Sequence, residues 1–331
     1  PILVVEGTFA EAVLLETLVL SVLNHDCAVA SAASRMTTAA MGRPCIEMGS
    51  RRTHEWGAVA AARAAYVAGF ATTSNLEAGR SYGVPTAGTA AHAFTLLHDG
   101  EREAFEAQVA SLGPQTTLLV DTYDVAEAVR TAVEIAGAGL GAVRLDSGDL
   151  VTQAREVRAQ LDSLGNTSTR IIVTSDLDEH AIAALAAAPV DAYGVGTSLV
   201  TGSGAPTAGL VYKLVAREDE VGSSADGVAM ISVAKRSTDK LSIGGRKWAL
   251  RRKSAAGTAE AEVIGIGTPP RDDGDDRLLL RDLVIDGRVV GRETLAAARE
   301  RHAVALAELP DTGHQLSRGV PVIPTTYEGD H

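Results

Sequence analysis

A short apolar run that stops in small, hydroxylic or charged residues recurs along most of this chain, and no other feature constrains its fold as much. Cys45-Ile46-Glu47-Met48 runs into Gly49-Ser50-Arg51-Arg52, Gly69-Phe70-Ala71 into Thr72-Thr73-Ser74-Asn75, and Pro85-Thr86-Ala87 into Gly88-Thr89-Ala90-Ala91-His92. Leu118-Leu119-Val120 then enters Asp121-Thr122-Tyr123-Asp124, and Ala142-Val143-Arg144-Leu145 enters Asp146-Ser147-Gly148-Asp149. Ile171-Ile172-Val173 enters Thr174-Ser175-Asp176, and Tyr193-Gly194-Val195 enters Gly196-Thr197-Ser198. Ala-rich stretches with helical spacing lie between. Parallel β/α barrels generate this alternation, because their strands are buried on both faces and their chemistry sits on the loops at the strands' C-terminal ends. The predicted class is α/β: an irregular parallel β/α barrel with a second, discontinuous α+β domain. The scattered polar clusters should then converge on one site.

Residues 42–209 carry the repeat and read as the catalytic barrel. Its helices are predicted at Glu55–Ala68, Arg102–Leu112, Val125–Ala136, Leu150–Leu164 and Asp178–Ala188, each followed by a Gly or Pro turn signal. Residues 1–41 read as a strand (Ile2–Val5) and two helices (Glu11–Leu23 and Ala28–Ala40), part of a lateral domain. Residues 210–331 complete that domain. They read as antiparallel strands Leu210–Ala216 and Val228–Ala234 joined by a polar turn (Glu218–Gly227), a basic run, an acidic loop (Pro269–Asp276), a last helix (Arg292–Leu309) and an extended tail.

The net charge of -12 argues against a nucleic-acid partner, because phosphate backbones recruit basic surfaces. Two cysteines, Cys27 and Cys45, fit a reducing cytoplasm better than a secreted scaffold. Val13–Leu23, interrupted by Glu16, is too short to span a bilayer, and no signal peptide is visible, so no membrane partner is expected. The chain opens on Pro1 without Met, which reads as a start part-way into a domain, by truncation or processing.

Gly194-Val195-Gly196-Thr197-Ser198 is a phosphate-loop candidate at the last barrel unit, where backbone N–H groups approach anionic oxygens; a plain Gly-rich turn is the bland alternative. Arg144 and Asp146 share one face of a strand, either as a structural ion pair or as an anion clamp with an orienting carboxylate. Asp121, Asp124 and Asp176 add carboxylates that suit water-held Mg²⁺, or that simply cap helices. Arg51 and Arg52 read as a surface pair or a phosphate fork, and His54 as a helix-start residue. His92, after Gly88-Thr89-Ala90-Ala91, is a proton relay or phosphoryl acceptor if not structural. Lys235, Lys240, Arg246 and Lys247 form a basic run around Gly244-Gly245, read as a solvated edge or a wall facing an anionic substrate. No zinc spacing, dinucleotide fingerprint or Walker A sequence is present.

Taken together, the strings Met48–His54, Gly69–Asn75, Gly88–His92, Val120–Asp124, Val143–Asp149, Ser175–Glu179 and Tyr193–Thr197 resemble the nicotinate phosphoribosyltransferase family in order and spacing over nearly the whole chain. The resemblance implies a type II phosphoribosyltransferase-like barrel. Its reaction converts nicotinate and phosphoribosyl pyrophosphate to nicotinate mononucleotide and pyrophosphate, coupled to ATP hydrolysis, in salvage toward NAD. It implies Mg²⁺ as cofactor, ATP as co-substrate and a homodimer with shared sites. By resemblance His92 is transiently phosphorylated, with Asp121 and Asp146 as further catalytic residues. Thr89 and Arg144 contact nicotinate, and Thr197 contacts the phosphoribosyl substrate. Arg51, Arg52, Asn75, Ser147, Ser175, Asp176, Gly194 and Gly196 complete the expected binding set. The family also carries a longer N-terminal region with an Asp-x-Tyr helix whose Tyr stacks on the nicotinate ring, and the sequence as it opens at Pro1 reads as lacking that segment. A nicotinamide or quinolinate phosphoribosyltransferase, and a non-catalytic fragment that binds phosphoribosyl ligands, are the alternatives.

Overall fold

A computed structural model describes residues 1–219, 221, 228–235 and 242–329. The chain divides into two compact units, residues 24–208 and residues 1–23 with 209–331.

The first unit is built on a six-stranded parallel sheet of β1 (Cys45–Glu47), β2 (Thr72–Thr73), β3 (Thr117–Leu119), β4 (Ala142–Leu145), β5 (Arg170–Val173) and β6 (Ala192–Val195). Its spatial order, β2-β1-β6-β5-β4-β3, is chain order read around a ring. The sheet is therefore a curled β/α half-barrel open at one seam, between the β2 edge and β3. A parallel bridge from Thr73 to Thr86 extends the β2 edge toward that seam. Around the sheet lie α2 (Glu55–Val67), α3 (Leu76–Tyr82), α4 (His92–Leu96), α5 (Glu101–Leu112), α6 (Val125–Ala136), α7 (Leu150–Ser163), α8 (Glu179–Ala184) and the short α9 (Thr197–Val200).

Period-two alternation stacks the inward side chains in layers. Ile46, Ala142, Ile172 and Ala192 form one buried cluster, with Met48 packed against it. One step toward the C-terminal ends come Met48, Arg144, Thr174 and Gly194. A Cβ on Gly194 would lie 2.5 Å from Thr174 Cγ2 and 2.8 Å from Met48 Sδ, so this layer closes only with glycine there. Pro85–Ala87 is reduced to the Thr86 bridge, and pairing after Gly69 begins only at Thr72, because the buried Phe70 packs without joining the ladder.

The expected pair of N-terminal helices is one 31-residue helix, α1 (Phe9–Ala39). Nothing between Leu23 and Ala28 breaks it, since the stretch holds neither Gly nor Pro. Ala28, Val29, Ala32, Ala33, Met36 and Ala39 are buried, so the second half of α1 belongs to the barrel unit and the division falls at Leu23 rather than at residue 41. By length and composition alone α1, longer than the Val13–Leu23 stretch, is long and apolar enough to cross a bilayer, a test that core helices also pass. Ile2–Val5 forms no strand; it has no pairing partner among the described residues.

The second unit holds a sheet of order β11-β9-β10-β14, from β9 (Lys247–Lys253), β10 (Ala259–Ile266), β11 (Arg277–Leu278) and β14 (Thr325–Gly329). Two short antiparallel pairs, β7 (Ala216–Glu218) with β8 (Met230–Ser232) and β12 (Val284–Ile285) with β13 (Arg288–Val289), the helix α10 (Leu295–Ala307) and the first part of α1 accompany it. The tail is only partly extended: β14 joins β10 in parallel register. Of Leu210–Ala216 only the last residue lies in a strand. Most of the expected turn at Glu218–Gly227, and Lys240, lie outside the described residues. Arg246 and Lys247 of the basic run are committed locally. Arg246 pairs with Glu6 at 2.6 Å and stacks on Trp248, and Lys247 Nζ donates to the carbonyls of Ile243, Gly244 and Gly245.

Candidate active site

The seam is spanned by side chains rather than by strand pairing. On the β4 side, Arg144 Nη1 donates to Thr89 Oγ1 at 2.5 Å and to the Ala90 carbonyl at 3.1 Å. Its Nε donates to Thr174 Oγ1 at 2.9 Å, and Nη2 pairs with Asp146 Oδ2 at 3.0 Å. Thr174 in turn donates to Asp146 Oδ1. With Arg144 only 8% exposed, these partners meet most of the hydrogen-bonding need of a buried guanidinium.

On the β3 side, Asp121 Oδ1 lies 3.2 Å from His92 Nε2. Asp121 Oδ2 accepts from the Asp146 backbone N–H at 2.9 Å and from Ser147 Oγ at 2.8 Å. The Asp121 side chain is 2% exposed and that of His92 is 40% exposed, so the imidazole is the open end of a buried chain of bonds. His92, Asp121, Ser147, Asp146, Thr174, Arg144 and Thr89 thus form one network drawn from four loop or strand ends. The network holds two carboxylates and one guanidinium, of which only Asp146 pairs directly with Arg144.

Local sequence explains the placement. Ala91 precedes α4 in extended conformation, which sets His92 at the first turn. Asp124 caps α6 by accepting from Glu127 N at 2.8 Å, fixing the loop that carries Asp121. Asp149 caps α7 in the same way behind Ser147. The cap of α8 is Asp178, not Asp176. His54 caps α2, accepting from Trp56 N at 3.4 Å.

The remaining predicted residues sit around this network without bonding to it. Arg51 and Arg52 are exposed after β1, and neither forms an ion pair among the described residues. Ser175 and Asp176 are exposed after β5. Ser175 holds φ at 120°, a conformation costly for a residue with a Cβ and concentrated at functional loops. Thr197 is exposed at the start of α9. Gly194 and Gly196 pack against Met48, so close approach of β1 and β6 is by itself a reason for both glycines. Asn75 caps α3 through Oδ1 and donates from Nδ2 to Ser50 Oγ at 3.0 Å.

Sequence reasoning missed Thr174 and the pair Glu47–Thr73. It also missed Glu101, whose carboxyl is pushed up by burial and by Asp124 and Asp121, although it accepts from Tyr123 N–H. Glu47 could have been found from its position, since an acid inside an apolar barrel strand must be satisfied somehow. Among the described residues of the barrel no trio of metal-ligating groups converges. Such a trio, Asp272, Asp273 and Asp276, is found among the described residues of the other unit.

No family model matches the chain. It is 59% identical over 334 aligned residues to nicotinate phosphoribosyltransferase pncB1 of Mycobacterium tuberculosis, covering 98% of this chain and 72% of that protein. It is 38% identical to nicotinate phosphoribosyltransferase of Bacillus subtilis, over 75% of this chain and 51% of that one. Among solved structures, human nicotinic acid phosphoribosyltransferase superposes with a TM-score of 0.73 at 24% identity, over 97% of this chain and 76% of that one. Nicotinate-nucleotide pyrophosphorylase from Pyrococcus furiosus gives 0.71 at 24%, over 88% and 73%. These two likenesses establish the barrel fold. The identity and coverage of the Mycobacterium relative establish more: the chain belongs to the nicotinate phosphoribosyltransferase family.

Proposed function

We propose that this chain makes nicotinate mononucleotide and pyrophosphate from nicotinate and phosphoribosyl pyrophosphate, coupled to ATP hydrolysis through His92, as a salvage step toward NAD. The observation that carries the reading is the single bonded network joining Thr89, Arg144, Asp146, Asp121 and His92 at the open seam.

In this reading Arg144 and Thr89 receive the nicotinate carboxylate, a charge-assisted contact that neutral nicotinamide cannot reproduce. The pyridine nitrogen attacks C1 of the ribose as the bond from C1 to the pyrophosphate oxygen breaks. Positive charge builds on the sugar, and the excess of carboxylates over guanidinium favours it. Arg51, Arg52, Ser175 and Thr197, exposed on neighbouring loops, supply donors and positive charge for the phosphate groups, and Asp176 would meet them through water or a bound cation. Magnesium would neutralise charge on the phosphate groups, and Asp121, Asp146 and Asp176 are the carboxylates that would help to hold it, largely through water.

Asp121 facing Nε2 fixes the tautomer that leaves the His92 Nδ1 lone pair free. Nδ1 takes the γ-phosphoryl group of ATP, ADP leaves, and water later releases phosphate. The added negative charge resets affinity for the phosphorylated ligands. A homodimer belongs to the same proposal and is read by sedimentation.

The test is incubation with nicotinate, phosphoribosyl pyrophosphate, Mg²⁺ and γ-labelled ATP, each omitted in turn. Formation of the mononucleotide, its stimulation by ATP and label on His92 are expected. Product from nicotinamide or quinolinate in place of nicotinate, or phosphoribosyl pyrophosphate bound without turnover, would overturn the reading.

A further inference from the structure

Glu47 is fully buried at the end of β1, and among the described residues no cation pairs with it. A lone carboxylate inside a protein is costly, and burial pushes its titration upward. It is nevertheless satisfied. Oε1 accepts from the Gly49 backbone N–H at 2.5 Å, and Oε2 accepts from Thr73 Oγ1. Thr73 Oγ1 itself accepts from Asn75 N at 2.9 Å, and Asn75 reaches back to Ser50 Oγ. One side chain therefore ties the turn after β1, which carries Ser50, Arg51 and Arg52, to the turn after β2, which carries Asn75.

The tie extends to a third loop. A Cβ on Gly49 would lie 2.2 Å from Val200 Cγ1 and 3.2 Å from the Gly196 carbonyl. The β1 turn is thus pressed against the loop that leads into Thr197. Glu47 alternates with Ile46 and Met48, which face the barrel interior, so its carboxylate points to the helix side of the sheet. It is placed to shape the loops, not to touch a substrate.

We infer that Glu47 is a positioning residue for the phosphoribosyl pyrophosphate side of the site: its carboxylate presets the turns that carry Ser50, Arg51, Asn75 and, through Gly49, Thr197. The inference rests on the proposed function. It predicts a split between the two substrates, because the partners of Arg144 are Thr89, Ala90, Asp146 and Thr174 and none of them hydrogen-bonds the Glu47 carboxylate.

The experiment compares the full chain with Glu47→Ala, Glu47→Gln and Thr73→Val. Each substrate is varied separately in steady state, and phosphoribosyl pyrophosphate binding is measured in parallel by calorimetry. Glu47→Ala should raise KM and Kd for phosphoribosyl pyrophosphate roughly tenfold or more, while KM for nicotinate stays within about twofold. Glu47→Gln, which can still accept from Gly49 N–H and donate to Thr73, should recover most of the loss. Thr73→Val, a milder break, covers the case in which Glu47→Ala does not fold, and should show the same split. Equal effects on both substrates, no effect on phosphoribosyl pyrophosphate, or no recovery by Gln would overturn the inference. A wild-type chain that binds phosphoribosyl pyrophosphate without turnover would overturn the proposed function alone, and the Kd values would still decide the role of Glu47. Absence of binding in the wild type would overturn both.

Discussion

Both units of this protein bury an arginine–carboxylate cluster, and the two clusters close differently. In the C-terminal unit Glu308, at the end of α10, accepts from Arg277 Nε and Nη2 and meets Arg251 and Lys253, while Arg251 also pairs with Glu262. The cations hold the Glu308 carboxyl below its usual range against the opposing effect of burial. Every strong charge there faces an opposite one, so the cluster is scaffold that locks β9, β10 and β11 to the helix. In the barrel the chain of bonds starts at buried Arg144 and ends at an imidazole left 40% exposed, beside loops whose Arg51 and Arg52 pair with nothing described. Burial of charge alone does not mark a site; an unsaturated end does.

That contrast can be broken most sharply by function. Asp121→Asn keeps the shape but frees the His92 tautomer and loosens Ser147. Turnover should fall about 10²-fold or more, with the ATP stimulation lost, in initial-rate assays. Glu308→Ala should do the reverse. It leaves Arg251 and Arg277 without their shared partner and should cost about 3–5 kcal/mol in urea unfolding, with substrate KM values unchanged. A large nicotinate KM effect from Glu308→Ala would show that the two clusters do not divide the work.

Packing sharpens the comparison further. Gly49→Ala places a methyl against the branched Val200 side chain and should cost about 1–3 kcal/mol, read by thermal melting, and raise KM for phosphoribosyl pyrophosphate more than for nicotinate. The smallest effect concerns pH. Glu47 titrates above its ordinary value of 4.5 in the fold, so the native state binds more protons than the unfolded chain. Its contribution to stability is full below about pH 4.5 and declines as pH rises through the folded-state value. Glu47→Gln should therefore gain stability relative to the wild type on going upward from pH 4.5, in paired denaturant titrations. A gain on going downward would contradict the buried, unpaired acid.

The barrel strands were readable because strands buried on both faces are written as unbroken apolar runs: Ala142–Leu145 and the cap-to-turn helix Val125–Ala136 match the structure residue for residue. The seam was not readable, since nothing in Pro85–Ala87 says that only Thr86 would bridge to the sheet. The start of β9 was hidden by charge: Arg246 and Lys247 read as part of a basic run, a solvated edge or a wall facing an anionic substrate, although Ala249 and Leu250 just beyond them are buried in a strand. Thr174 carries no local signal beyond being polar at a strand end, and Glu47 signals only that an acid in an apolar strand must be satisfied, not by which groups. Their meaning lies in partners distant along the chain, Arg144 for Thr174 and Thr73 for Glu47.

The proposed activity requires that Arg144 read the substrate's carboxylate at the seam. Calorimetric titration of nicotinate and nicotinamide into the wild type and into Arg144→Ala tests this directly. The wild type should favour nicotinate by about tenfold or more, and Arg144→Ala should bind the two alike. A nicotinate preference that survives intact in Arg144→Ala would contradict it.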